Sequence, residues 1–314
     1  MDVAITGATG FVGAALVRSH LERGDLVRVL VRDTGAAIRH PPSIRVYHGD
    51  LAVAETIPVD FAAGADVLYH CAAEIRDESA MASINVSGTR ALARLTTGRA
   101  ARWVQVSSAS VYGAVRSGTI IEASPIRPDS LYGRTKAEAE EIVRATAAAG
   151  GFEAVVVRPS NIFGTGMPSN ALYKLFTAIE RRWFFPVGKP GAMMNYVHVE
   201  NVVNALMLCA THPVAAGRTY NVSDELLVEQ LAAIVADELG MRCPTLRLPE
   251  PPLRVLATVL GGLPGMPLTH RHLDALTTHA RYASDRIRQE LAYNPVVSLE
   301  AGLRELASSW KRGR

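Results

Sequence analysis

A chain of 314 residues with 33 basic and 30 acidic side chains carries a formal net charge of only +3, and 48% of it is hydrophobic. That length and composition suit one large α/β domain, or two smaller ones, with a substantial core. The near-balance of charge, with aromatics at 6%, argues against a nucleic-acid partner and for a mildly basic ordinary surface.

Residues 3–6 open the chain as a β-branched run, which reads as a strand and not as the charged lead of a signal peptide. Gly7-Ala8-Thr9-Gly10-Phe11-Val12-Gly13 follows directly, and helical apolar spacing runs over 12–23. Gly7 suits the tight turn, Gly10 lets a pyrophosphate approach the backbone, and Gly13 lets the helix pack closely on the strand. The helix N-terminus offers free N–H groups to phosphate, so Thr9, Phe11 and Val12 share the expected dinucleotide site.

A second strand, 27–31, ends in Arg32-Asp33. An acid there holds the adenosine ribose hydroxyls, whereas an arginine accommodates a 2′-phosphate. Arg32 therefore favours NADP, and Asp33 leaves NAD open. The third strand, 44–47, leads into Asp50 and Leu51, expected beside the adenine. The fourth, 67–70, leads into Ala72 and Ala73, small enough for a cofactor to lie against the backbone.

A helix is expected over 83–97 and a fifth strand over 104–107, which carries Val106 and ends in Ser107-Ser108-Ala109-Ser110. The helix over 131–149 places Tyr132 and Lys136 one turn apart on one face. A phenol with an ordinary pKa near ~10 is a poor base at neutral pH, and a nearby ammonium favours its phenolate. Lys136 also suits the nicotinamide ribose, and the Ser108 hydroxyl suits a substrate oxygen developing charge. Tyr and Lys four apart are common on helices. Joined to the glycine loop and a serine-rich strand end, the combination becomes specific.

A sixth strand over 154–157 precedes a change of texture after Gly164, where proline and glycine become dense. Strands over 196–199 and 219–222 and an amphipathic helix over Val228–Leu239, stopped by Gly240, belong to this part. Strand–helix alternation implies a Rossmann-type α/β fold with a doubly wound parallel sheet. The expected division is 1–164 for the dinucleotide-binding domain and 165–314 for a smaller, mainly substrate-binding lobe, interleaved with late elements of the first. The apolar stretch 253–268 is broken by glycine and proline and is too short to span a bilayer. Cys71, Cys209 and Cys243 form neither a disulfide framework nor a metal cluster, so no metal and a cytoplasmic location are expected.

TGATGFVG at 6–13, SSASVYG at 107–113 and YGRTK at 132–136 resemble the extended short-chain dehydrogenase/reductases, and within them the NAD-dependent epimerase/dehydratase family. RPSNIFG at 158–164, YVHVENV at 196–202 and ELAYNP at 290–295 resemble later segments of that family, so the likeness covers almost the whole chain. It implies Tyr132 as acid/base, Lys136 as its partner, and Ser108 as the substrate-orienting hydroxyl. Asn161, with Ser110, is implied at the substrate, and Pro159, Asn161 and Asn85 at the cofactor. The resemblance also implies a homodimer formed by the helices over 83–97 and 131–149, and a nucleotide-diphosphate sugar as substrate. One departure stands out: Met194-Asn195 occupies the place where the family has an arginine and an aspartate, and that arginine pairs with the substrate diphosphate. Arg182, Arg218 and Arg247 are the replacements considered, and Met193-Met194 suits the lining of an apolar pocket.

Two enzyme readings follow. The first is a nucleotide-sugar epimerase or 4-keto reductase; the second is a reductase of a non-sugar ketone or hydroxysteroid-like compound, favoured by Arg32, Met194 and the apolar 253–268 segment. A non-catalytic dinucleotide sensor would require a broken catalytic set, and Ser108, Tyr132 and Lys136 are all present.

Overall fold

The computed structural model describes residues 1–32, 43–260 and 269–313. Asp33 and residues 261–268 of the apolar stretch lie outside them. The first half runs β1 (Asp2–Thr6), α1 (Phe11–Glu22), β2 (Leu26–Val31), β3 (Ile44–His48), β4 (Val67–His70), α2 (Glu78–Met81), α3 (Thr89–Thr96), β5 (Arg102–Val106), β6 (Ser117–Ile120), α4 (Leu131–Ala148) and β7 (Glu153–Pro159). The second continues with β8 (Asn161–Phe163), α5 (Ala171–Glu180), β9 (Met193–His198), α6 (Val199–Thr211), β10 (Thr219–Val222), β11 (Asp224–Leu227) and α7 (Val228–Leu239). It closes with α8 (Glu250–Leu260), α9 (His270–Thr277), β12 (His279–Tyr282), α10 (Asp285–Leu291) and α11 (Leu299–Arg312).

Seven strands form the main sheet in the order β10-β7-β5-β4-β1-β2-β3. Every pairing in it is parallel, which requires crossover connections and cover on both faces. Alternation along β1 shows the cover directly. Val3 and Ile5 pack with Leu16 of α1 and Val202 and Leu206 of α6, while Ala4 faces Leu92 of α3 and Val143 of α4. Strand order reverses between β1 and β4, and at such a point the loops beyond the strand ends diverge and leave a crevice.

The smaller lobe is built on a three-stranded sheet, β11-β9-β8, with α5, α7 and α11 packed on a core of Phe163, Leu172, Phe176, Leu231 and Leu303. β8 already belongs to this sheet, while α6, β10 and α10 return to the main one. The expected continuous helix over 83–97 is divided instead. Residues 82–88 wind as a π-helix between α2 and α3, where Asn85 turns its amide inward and Gly88 sits against Leu51 with no room for a Cβ. Among the described residues no helix is long and apolar enough to cross a membrane.

Candidate active site

Two adjoining cavities open at the reversal of strand order. The smaller, about 260 Å³, lies beyond β1, β2 and β3, and is lined by Arg32, Asp50, Leu51, Ala72 and Ala73. The larger, about 1210 Å³, extends past β5 and β7 toward the second lobe. Gly7, Thr9 and Gly10 line both, and Phe11, Val12 and Gly13 line the larger.

The glycine loop is shaped by close backbone approach. Gly7 has φ +70°, and a Cβ on it would lie 2.6 Å from the Ala72 nitrogen. A Cβ on Gly13 would lie 2.1 Å from the Gly7 oxygen, so α1 can rest on the turn only with glycine there. Gly10 caps α1 with no side-chain hydrogen bond, and no acidic residue occupies the first turn. The positive end of α1 thus faces the cavity with its N–H groups unclaimed by any side chain, which fits the pyrophosphate of a dinucleotide.

Strand β5 and helix α4 carry the candidate catalytic residues. Ser130 caps α4 by accepting from the Gly133 N–H, and Gly133 lets the helix start against the Ser110 backbone. This brings Tyr132, Lys136 and Ser108 to one wall of the larger cavity, beside Val106, Pro159 and Asn161. Ser108 is the neighbour that favours the ionised form of the Tyr132 phenol. Its Oγ accepts from the Ser110 N–H at 3.1 Å and the Ser110 hydroxyl at 3.0 Å. Ser110 does not itself line the cavity, and meets the site through Ser108.

Electrostatics differ from the expectation drawn from spacing. Burial pushes the Tyr132 phenol up to about 12, and Ser108 is the influence opposing it. Lys136 is buried, its Nζ donating to the Val106 carbonyl oxygen at 2.6 Å. Burial lowers its ammonium to about 8, against the opposing pull of Glu140 and then Cys71. Sharing a helix face therefore does not by itself bring the ammonium to the phenol: desolvation governs both groups.

Asn85 is placed differently from the expectation. It lines neither cavity and is 2% exposed. Its Oδ1 accepts from the Glu74 N–H at 2.7 Å, while its Nδ2 donates to the Glu74 carbonyl at 2.9 Å and to Thr135 Oγ1 at 3.1 Å. It clamps the turn after β4, and has no donor or acceptor aimed at a cofactor. Asn161 is exposed to the cavity, with its amide donating to the Asn195 carbonyl at 3.0 Å.

Met194 is buried in the second lobe's core and lines neither cavity. Asn195 bridges strands, donating to the Ala280 carbonyl at 2.9 Å. Arg182, Arg218 and Arg247 do not reach either cavity; Arg247 instead pairs with Glu229. Arg76 does reach the larger one, and no individual sequence signal marked it. The Glu74 carboxylate accepts from the N–H groups of Ile75, Arg76 and Asp77, so this turn is held from both sides. The Arg76 guanidinium donates to the Pro168 carbonyl across the cavity mouth at 3.0 Å. Arg18, also in the wall, is already paired with Glu200.

Comparison with known proteins bears on this geometry. The chain is 30% identical to a 3 beta-hydroxysteroid dehydrogenase/Delta 5-->4-isomerase of Mycobacterium tuberculosis, over 96% of this chain and 88% of that one. It is 28% identical to a dTDP-glucose 4,6-dehydratase of Streptomyces griseus, over 95% of this chain and 90% of the relative. A dTDP-glucose 4,6-dehydratase from Streptomyces venezuelae, solved with NAD bound, superposes with a TM-score of 0.75 at 25% identity, covering 100% of this chain and 98% of the other. Residues 3–223 match the model of the NAD-dependent epimerase/dehydratase family, whose members are oxidoreductase-type enzymes using NAD(P). The chain belongs to that family, and its parallel sheet and glycine loop are in keeping with it.

Proposed function

We propose that the larger cavity is an active site in which Tyr132 exchanges a proton with the reacting oxygen of a nucleotide-diphosphate sugar, with epimerisation or 4-keto reduction as the reaction. The observation that carries this reading is that Ser108, Tyr132 and Lys136 line one cavity together with the glycine loop. Bound NAD(P) supplies the capacity to accept or donate hydride. Gly7, Gly10 and Gly13 with the N-terminus of α1 hold its pyrophosphate, and Asp50, Leu51, Ala72 and Ala73 border its adenosine half. Arg32, exposed at the mouth of the smaller cavity, favours the 2′-phosphate of NADP.

Ser108 orients the substrate oxygen and stabilises charge developing on it. Tyr132, kept protonated by burial at neutral pH, is ready to donate to that oxygen in the reductive direction. Lys136, its Nζ held by the Val106 carbonyl, orients the ribose. Asn161 and Ser110 assist on the substrate side, the latter through Ser108. Arg76 takes the anionic arm of the substrate, which the arginine-free β9 does not supply. The dTDP-glucose dehydratase relatives support the sugar class. A cytoplasmic homodimer meeting through α3 and α4 belongs to the same reading.

A second reading, reduction or oxidation of a hydroxysteroid-like compound, is favoured by the Mycobacterium tuberculosis relative and by the lack of an arginine in β9. A thermal-shift panel of uridine-, guanosine- and thymidine-diphosphate sugars with saturating NADPH or NADH separates the two. The sugar reading expects stabilisation by at least one of them. No shift with any, beside a shift with a hydroxysteroid, overturns it.

A further inference from the structure

A buried ion pair stands directly behind the proposed site, and the reading above gives it no part. Glu140 lies one turn beyond Lys136 and two beyond Tyr132 on the same face of α4. It is 1% exposed, and its partner Arg158, from β7, is 3% exposed. The pair is bidentate, with Nε to Oε1 at 2.9 Å and Nη2 to Oε2 at 2.6 Å. Ser107, next in sequence to Ser108, donates its hydroxyl to the same carboxylate. Arg158 is fixed in turn by the Tyr112 hydroxyl at 2.8 Å, with its guanidinium 5.0 Å from the Tyr112 ring centroid, and Arg144 adds a second cation to Glu140 at 2.9 Å. One carboxylate therefore joins the three elements that carry the site: α4, the end of β5 and β7.

Stability alone is a poor reason for such a pair, because desolvating two charges offsets most of their attraction and an apolar pair of similar volume serves as well. Its position gives a better reason. From the end of β4, Lys136 is faced by His70 and Cys71, both held neutral by burial. From α4 it is faced by Tyr132, kept as a phenol, and by Glu140; from β5 it meets the Val106 carbonyl. Glu140 is thus the negative charge nearby that offsets the cost of burying an ammonium, and Arg158, Ser107 and Arg144 keep that carboxylate ionised.

We propose that Glu140, locked by Arg158, is a positioning residue: it keeps buried Lys136 charged and ties the Ser107–Ser108 strand end to the helix that carries Tyr132. The inference rests on Lys136 being part of the site, and its test does not depend on turnover. The chain has four lysines, Lys136, Lys174, Lys189 and Lys311, and the last three are exposed. Trace acetylation with acetic anhydride across pH, quantified per lysine by mass spectrometry, reads the protonation of each amine directly, with the exposed three as internal references.

In the wild type the Lys136 midpoint is expected near pH 8. In Glu140→Gln, and in the double variant E140Q/R158Q that does not leave the Arg158 guanidinium buried without its carboxylate, it moves down by about one pH unit or more, while the references stay in place. Glu140→Asp returns it toward the wild-type value. An unchanged Lys136 midpoint in either variant, with a cooperative melt showing that it is folded, overturns the proposal. So does failure of both Gln variants to fold, which would assign the pair to structure alone. A shifted midpoint in a protein that turns over no sugar or steroid leaves this inference standing and removes the functional reading instead.

Discussion

Gly10→Ala and Gly13→Ala, three residues apart in one loop, are expected to fail in different ways. A Cβ on Gly13 would sit 2.1 Å from the Gly7 oxygen and 2.7 Å from its carbonyl carbon, both rigid backbone atoms. To restore ordinary contact, α1 has to retreat from the turn by about 1 Å, disturbing Leu16 and Ala15 in the main core. Overpacking against backbone costs about 3 kcal/mol, which lowers Tm by roughly 5 °C or more in a chain of this size. At Gly10 the backbone is extended, with φ −82° and ψ 170°, and the nearest atom to an added Cβ is the Gly7 oxygen at 3.2 Å. Alanine there costs a few tenths of a kcal/mol to about 1 as a poorer cap, yet its methyl projects where the pyrophosphate is expected. Gly10→Ala should therefore melt within roughly 3 °C of wild type while its Kd for NADH or NADPH rises at least about tenfold, a loss of ~1.4 kcal/mol. Differential scanning fluorimetry and nucleotide fluorescence titration read the two quantities separately. Wild-type dinucleotide affinity in Gly10→Ala, or a wild-type melt in Gly13→Ala, would refute the reasoning.

Three further outcomes are expected. Tyr132→Phe lowers turnover by about 10²- to 10⁴-fold with dinucleotide affinity nearly intact, and a fully active variant removes Tyr132 from the chemistry. Asn85→Ala strands the Glu74 N–H and carbonyl, costs about 2 kcal/mol or more, and speeds amide exchange over 74–77, while dinucleotide binding to the folded protein holds; selective loss of binding without loss of stability contradicts the clamp role. Burial lowers His70 to about 3, so it is neutral when folded and charges in the unfolded chain below the ordinary histidine value. Its contribution is complete above about pH 6.5 and is lost as pH falls toward 3, at about 1.4 kcal/mol per pH unit. His70→Gln should flatten the fall of Tm with pH between 6.5 and 4, and an unchanged slope would show that other groups set the acid limb.

How much of this was legible in the sequence depends on the range of each interaction. The glycine loop could be read because its constraints are local: a positive φ at Gly7 and contact between Gly13 and Gly7 lie within seven residues. The alternation of strands and helices was equally plain, since period 2 and period 3.6 are written along the chain. Tyr132 and Lys136 could be placed on one helix face for the same reason.

What spacing did not reveal was where side chains go once distant segments meet. Lys136 turns to the Val106 carbonyl thirty residues earlier, so burial, not a phenol–ammonium contact, sets the charge of both residues. Asn85 looked available for a cofactor until the turn at Glu74 took all of its polar atoms. Arg182, Arg218 and Arg247 were plausible cavity cations, yet Arg76 reaches the cavity because Asn85 and Glu74 fix its turn opposite Pro168. Sequence by itself determined the parallel α/β framework and the residue types at the strand ends, because those follow from backbone conformation and local periodicity. Tertiary structure alone decided which of those residues share a cavity and how they are charged, because desolvation and pairing depend on neighbours tens to hundreds of residues away.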